Sequence, residues 1–271
     1  MRVTTDDGVR LATVAAGDVG APGLLLVHGI GGAKEDFTHH FAALAERHRV
    51  VAFDHRGHGE SDKPDDERAY SLDRMAGDVA CVIDAFGLRD LRILGHSMNG
   101  MVMRRFLLAE PGRAAAVVFM DTSAGAPPGS DTELLAAASE VVRTGGLAAL
   151  KQLSDELDLL GSEAYQRVLA ERPGFREYAD YKWHAQSPVM WTTMMHEIVT
   201  QPDQLDGLRA IGVPTLGIVG DQDTMFLEPM AAIVGAVSGA RLVVIPEAGH
   251  SPQFENPPAW IAAMLEFLDC V

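Results

Sequence analysis

The sequence predicts an α/β protein: a mostly parallel sheet covered by helices on both faces and opened once by an all-helical insertion. Short apolar runs carry this reading, among them Gly23 to Val27, Arg49 to Phe53, Leu91 to Leu94 and Ala115 to Met120. They alternate with helix-periodic segments, and strands buried on both faces read as such unbroken runs. The alternation stops near Gly125 and resumes at Thr215, with no strand-like run between. The chain is therefore expected to divide into 1–124 and 205–271, two parts of one core, and 125–204, a helical insertion.

Each element has its own signal. Leu11 to Ala15 is an early strand, with Gly17-Asp18 as a turn, and Met1 to Thr4 leaves room for one before it. Gly23 to Val27 ends in His28-Gly29-Ile30-Gly31-Gly32. Apolar residues at Phe37, Phe41, Leu44 and Ala45 have helical spacing over Phe37 to Arg47. Arg49 to Phe53 runs into the polar, Gly-rich loop from Asp54 to Asp62. Ser71 is an N-cap for a helix through Phe86, and Gly87 is its stop. Leu91 to Leu94 is a strand, Met101 to Glu110 a helix ended by Pro111-Gly112, and Ala115 to Met120 the next strand.

In the insertion, Ser130 and Glu133 stand in capping-box positions. That helix ends near Gly145-Gly146. Leu147 to Leu160, Glu163 to Glu171 and Phe175 to Ala185 follow, and Ser187-Pro188 opens a fifth helix toward Thr200. Thr215 to Val219, Pro229 to Val237, Arg241 to Ile245 and Pro258 to Leu268 then resume strand, helix, strand, helix.

Composition narrows the function. The chain has 271 residues, 47% of them hydrophobic, so a sizeable core is expected. Thirty-eight acidic against 22 basic residues give a net charge of −16. That argues against nucleic acid or an anionic membrane as partner, since both are polyanions. Cys81 and Cys270 are far apart and form neither a disulfide framework nor a metal-ligand spacing. Cys81 reads as a core residue. The N-terminus has no apolar signal core, and no window approaches the ~18 apolar residues of a membrane span. A cytoplasmic protein, a monomer or homodimer, is the expectation.

Open parallel sheets bind ligands beyond the carboxyl ends of their strands. His28, Gly29 and Ile30 follow one strand; Ser97, in Gly95-His96-Ser97-Met98-Asn99-Gly100, follows another. Asp221 and Asp223 follow the first strand after the insertion, and His250 follows the last. A serine at a sharp strand-to-helix turn is the setting of a nucleophile elbow. The elbow pattern G-x-S-x-G fails by one residue: Asn99 stands where the last glycine belongs, a position crowded by the approach of helix and strand, and its amide is expected either to find a backbone partner or to donate toward the loop carrying Ile30 or the acid side of the site. Taken alone, Ser97 reads equally as a helix N-cap. The order Ser, Asp, His along the chain is the one expected for an elbow on such a sheet.

These stretches resemble the α/β-hydrolase fold, in its cap-bearing esterase and lipase type. The matching parts are His28 to Gly32, Asp54 to Ser61, Gly95 to Met98, Gly220 to Asp223 and Ala248 to Ser251. The resemblance implies a mostly parallel eight-stranded sheet flanked by helices, with an all-helical cap inserted after strand 6. It also implies that the acid lies three residues after Gly220, at Asp223. Asp221 is the rival, read as a turn residue. Asp121, which also follows a strand, is a second.

Chemistry assigns the roles. A neutral serine hydroxyl needs a base, here His250, and a carboxylate fixes the imidazole tautomer. The oxyanion of the attacked carbonyl needs fixed donors. These are the Met98 N–H at a helix N-terminus and the Ile30 N–H, with Gly31 second. Gly31, Met190, Trp191, Met194 and Met195 are candidate substrate-binding residues. With Ile198, the last four fall at helical spacing and equally fit packing within the insertion. Trp183 and His184 are weaker candidates.

His28, His55 and His58 read as loop-fixing residues, and His39-His40 as solvated surface. Gly29-x-Gly31 lacks the rest of a dinucleotide fingerprint, and no cofactor or metal is expected. Family members acting on haloalkanes or epoxides use a carboxylate where Ser97 stands. The leading expectation is therefore a carboxylesterase for small-to-medium apolar substrates. Carbon–carbon bond hydrolysis of ring-cleavage products, enol-lactone hydrolysis and cofactor-free perhydrolysis are alternatives on the same residues. Outside enzymes, a weakly catalytic ligand receptor is the rival.

Overall fold

In a computed structural model, residues 1–156 and 161–271 are described. Eight strands form one sheet: β1 (Arg2–Thr4), β2 (Arg10–Ala16), β3 (Gly23–Val27), β4 (Arg49–Phe53), β5 (Leu91–His96), β6 (Ala114–Met120), β7 (Thr215–Gly220) and β8 (Arg241–Ile245). Their order is β1-β2-β4-β3-β5-β6-β7-β8. β1 and β2, and β2 and β4, pair antiparallel; every later neighbour is parallel. The central strands are buried on both faces, as their apolar runs require. Leu25, Val27, Ile93 and Val117 point into one core, while Leu24, Leu26, Leu94 and Val118 point into the other. That is the two-residue period of a strand feeding two helical layers.

The first layer holds α1 (Leu72–Phe86) and α2 (Met98–Ala109). Ser71 Oγ accepts from Arg74 N–H at 3.0 Å, and Gly87 closes α1 at φ 60°. Phe37 to Arg47, expected as one helix, is a 3₁₀ stretch over Lys34–His40 and a single turn over Phe41–Leu44. Asp36 is drawn into side-chain bonds there, described below.

Among the described residues, 125–202 contain no strand. α3 (Thr132–Glu156) breaks at Gly146, whose φ of 72° and ψ of −178° separate two helices. The expected second helix reached Leu160, and residues 157–160 lie outside the described ones. The capping box is corrected: Ser130 Oγ donates to Pro127 O, and Asp131 Oδ1 accepts from Glu133 and Leu134 N–H. The carboxylate one residue nearer the helix takes both free amides. α4 (Glu163–Glu171), α5 (Phe175–His184) and α6 (Pro188–Thr200) follow, with Ser187 Oγ accepting from Met190 N–H. α7 (Leu227–Ala236) joins the first layer, and α8 (Pro257–Leu268) brings Trp260, Met264 and Phe267 to the second.

The insertion is anchored on the carboxyl-end loops of the sheet. Ser187 N–H donates to Gly57 O at 2.8 Å, after β4, and Ala164 N–H to Gln222 Oε1 at 2.8 Å, after β7. Asp36, after β3, accepts from Tyr178 Oη at 2.6 Å and Lys182 Nζ at 2.9 Å on α5. Met190, Met194 and Ile198 of α6 continue the first core. Among the described residues no helix is long and apolar enough to cross a membrane.

Candidate active site

Ser97 occupies the turn between β5 and α2 at φ 55° and ψ −121°. A non-glycine residue there carries strain on the order of 1–3 kcal/mol, so its surroundings must over-determine it. Ser97 N–H donates to Met120 O at 2.8 Å, and Thr122 Oγ1 donates to Ser97 O at 2.7 Å. The close approach of helix to strands, expected at position 99, falls on its neighbours instead. A Cβ at Gly95 would strike the Asn99 carbonyl, and one at Gly100 the Thr122 side chain. Asn99 is thereby free to carry a side chain. Fully buried, it donates from Nδ2 to His28 O and accepts at Oδ1 from His55 Nε2, 2.8 Å away. The departure from the elbow pattern is thus a tether between elbow and the loops after β3 and β4.

His250 Nε2 lies 3.0 Å from Ser97 Oγ, and His250 Nδ1 lies 2.7 Å from Asp223 Oδ2. A carboxylate at Nδ1 requires the proton there, which leaves Nε2 to accept the serine hydroxyl. Burial pushes the Asp223 carboxyl up, but the hydrogen bond to His250 and its charge outweigh that and hold it below its ordinary value. His96 Nε2 donates to the His250 carbonyl at 2.7 Å. Burial, then the charge of His250, pushes the His96 imidazole down to about 3, so it acts as a neutral brace.

The two rival acids sit elsewhere. Asp221 is exposed and accepts from Ala248 N–H at 3.1 Å, a turn role. Asp121 is fully buried and accepts from Gly220 N–H at 3.0 Å. It shares the site without facing His250 Nδ1, which Asp223 engages. Asp121, Asp223 and His250 bring ligand-type atoms within 4.8 Å of one another, the one such group among the described residues. Both His250 nitrogens are already committed, to Asp223 and Ser97, so the trio reads as a proton-holding network.

Gly29 packs against Ser97: a Cβ there would lie 2.8 Å from Ser97 Cβ. Ile30 follows it, and its N–H has no acceptor among the described residues. Met98 opens α2, so its N–H is one of the four that find no carbonyl inside a helix. The Gly31 N–H, by contrast, is engaged by His58 Nε2 at 3.3 Å. Three histidines fix this turn. His28 Nδ1 donates to Gly29 O at 2.7 Å while Nε2 accepts from His55 N–H at 3.2 Å. Burial drives the His55 and His58 imidazoles well below their ordinary value, so both are neutral. His40, expected on the surface, is buried against Trp260, and both it and His39 bond the Gln253 carbonyl.

Met190 and Met194 have no exposed surface and pack into the core, Met190 against Gly57 and Tyr70. Trp191 and Met195 are half-buried, as is Trp183, and His184 is exposed. Sequence reasoning missed the Asp36–Tyr178–Lys182 junction and the bond from His55 to Asn99, while the bond from Asn99 to His28 O is the expected donation toward the loop carrying Ile30. The first joins residues more than 140 positions apart and leaves no local pattern. The second was signalled only by a polar residue in a position expected to be crowded.

A family model described as alpha/beta hydrolase fold matches residues 22–257. The chain is 26% identical over 275 residues to a protein of Bacillus subtilis (strain 168) named, provisionally, a 2-succinyl-6-hydroxy-2,4-cyclohexadiene-1-carboxylate synthase, with 100% of this chain and 99% of that one covered. It is 29% identical over 285 residues to a non-heme haloperoxidase of Rhodococcus erythropolis, with 98% of each covered. The crystal structure of a hydrolase from Pseudomonas aeruginosa PA01 superposes with a TM-score of 0.85 at 28% identity, over 99% of this chain and 97% of that one.

Proposed function

The chain belongs to the α/β-hydrolase fold family, and from that premise we propose that it is a serine hydrolase cleaving a carboxylic ester of a small-to-medium apolar substrate. One observation carries the reading. Ser97 Oγ, His250 and Asp223 form a continuous line of hydrogen-bond distances, 3.0 and 2.7 Å, on a serine held at φ 55°.

In this reading Ser97 Oγ attacks the ester carbonyl while its proton passes to His250 Nε2. Asp223, accepting from Nδ1–H, stabilises the imidazolium. The carbonyl oxygen takes the negative charge and is held by the Met98 and Ile30 N–H groups. Collapse breaks the C–O bond, and His250 returns the proton to the departing alkoxide. Water then attacks the acyl-Ser97 ester with His250 again as base, releasing the acid and restoring Ser97. The half-buried Ile30, Trp191 and Met195 supply apolar surface for the acyl or alcohol part.

The haloperoxidase name of one relative favours a second reading, in which hydrogen peroxide replaces water in deacylation and a peracid leaves. Both share the acyl-enzyme. The test is a panel of p-nitrophenyl esters of graded acyl length, beside lactone and dienone substrates, with and without peroxide. Turnover of short and medium esters that vanishes in Ser97→Ala supports the proposal. Turnover of dienones alone, or of esters undiminished in Ser97→Ala, overturns it.

A further inference from the structure

We propose that Asp121 is a positioning residue for Asp223: the proton-bearing half of a carboxyl–carboxylate pair that donates its O–H to Asp223 and holds the pair at a single negative charge. This rests on the reading of His250 as base and deepens it.

Asp121 directly follows β6 at φ 46°, as Ser97 directly follows β5, and its side chain is fully buried. One oxygen, Oδ1, accepts from Gly220 N–H at 3.0 Å. The other, Oδ2, is buried and finds no donor among the described residues. A bare carboxylate oxygen without a donor in that place costs several kcal/mol, whereas a protonated one needs only an acceptor. The acceptor is at hand, since Asp223 brings a carboxylate atom within 4.8 Å. Two carboxylates this close in a buried site do not both ionise.

The groups facing the pair decide which one holds the proton. From the loop after β8 comes His250, whose Nδ1 engages Asp223 and not Asp121. From the end of β5 comes His96, neutral as described. From the short helix Pro252–Glu255 comes Glu255, which already accepts from Gly249 N–H at 2.5 Å and Ser251 N–H at 3.2 Å. Asp223 therefore has the imidazole as partner, and Asp121 has only one backbone amide. Burial first, and the Asp223 charge second, push the Asp121 carboxyl well above its ordinary value.

A fixed donor behind Asp223 removes one of its free rotations and so fixes the line on which the His250 ring is held. The test uses the isosteric Asp121→Asn, which deletes a charge only if one was present. We measure kcat/KM against pH on a p-nitrophenyl ester and the infrared difference spectrum between wild type and variant at pH 7. With Asp121 protonated, the acid limb stays within about 0.5 pH unit of wild type, and a protonated-carboxyl band is present in wild type and gone in the variant. An ionised Asp121 gives instead a fall of the acid limb by about 1–3 pH units, the effect of removing a charge beside an imidazolium, and no such band. That overturns the proposal. Asp121→Ala reads the same sign should Asp121→Asn fail to fold. If wild type turns over no ester, the esterase reading fails while the infrared band still decides Asp121.

Discussion

Replacing Asn99 with glycine restores the elbow pattern and, on this structure, damages the protein. Asn99 satisfies two buried groups, the His28 carbonyl and the His55 Nε2–H. Each left without a partner costs about 1–3 kcal/mol, and water reaching one of them sets the combined loss at roughly 2–4 kcal/mol. For a chain of this size that lowers Tm by on the order of 5–15 °C. His28 begins the loop that carries Ile30, so an untethered loop also blurs the position of an oxyanion donor. That donor acts only on the charge of the transition state. The expected kinetic signature is therefore a kcat lowered by about tenfold to a hundredfold with KM little changed. Differential scanning calorimetry and steady-state ester hydrolysis read both effects. A variant with wild-type Tm and wild-type kcat refutes the tether.

Asp223→Asn keeps the shape but favours the wrong His250 tautomer, and kcat should fall by about 10⁴ at unchanged fold, read by ester turnover and circular dichroism. Asp36 is held below its ordinary value: burial opposes this, but the charge of Lys182 and the Tyr178 hydrogen bond outweigh it. Its contribution is present above the ordinary Asp value and lost as pH falls through the lower folded one. The urea midpoint of wild type should drop on acidification below about pH 4, and Asp36→Asn should flatten that drop while costing about 3 kcal/mol at pH 7. Arg56, 2% exposed, binds Asp78 through two bonds of 2.6 and 2.7 Å and also reaches Asp7. Arg56→Ala strands the buried Asp78 carboxylate and should cost about 3–5 kcal/mol by denaturant titration, more than any exposed ion pair of the chain.

The sheet was legible because buried parallel strands leave unbroken apolar runs: β3 and β4 fall on the expected residues, and so does β8, a half-exposed edge strand whose run is equally apolar. The places of Ser97, Asp223 and His250 were legible for a related reason, since each directly follows such a run. What sequence concealed depends on approach between distant segments. Asn99 looked like a defect because the crowding that demands glycine can move by one residue, here to Gly100. Asp121 looked like a rival acid because nothing local says that His250 Nδ1 points to the next strand's loop. The methionines of α6 illustrate a third limit: helical spacing shows which face is apolar, not whether it meets a ligand or the core. Met190 and Met194 met the core.

The proposed reaction stands or falls with Ser97 Oγ as the nucleophile. A fluorophosphonate probe, followed by intact-mass measurement and peptide mapping, tests it without knowledge of the natural substrate. One probe per chain is expected, carried by Ser97, with labelling abolished in Ser97→Ala and slowed in His250→Ala. Label on another residue, or unchanged labelling of Ser97→Ala, contradicts it.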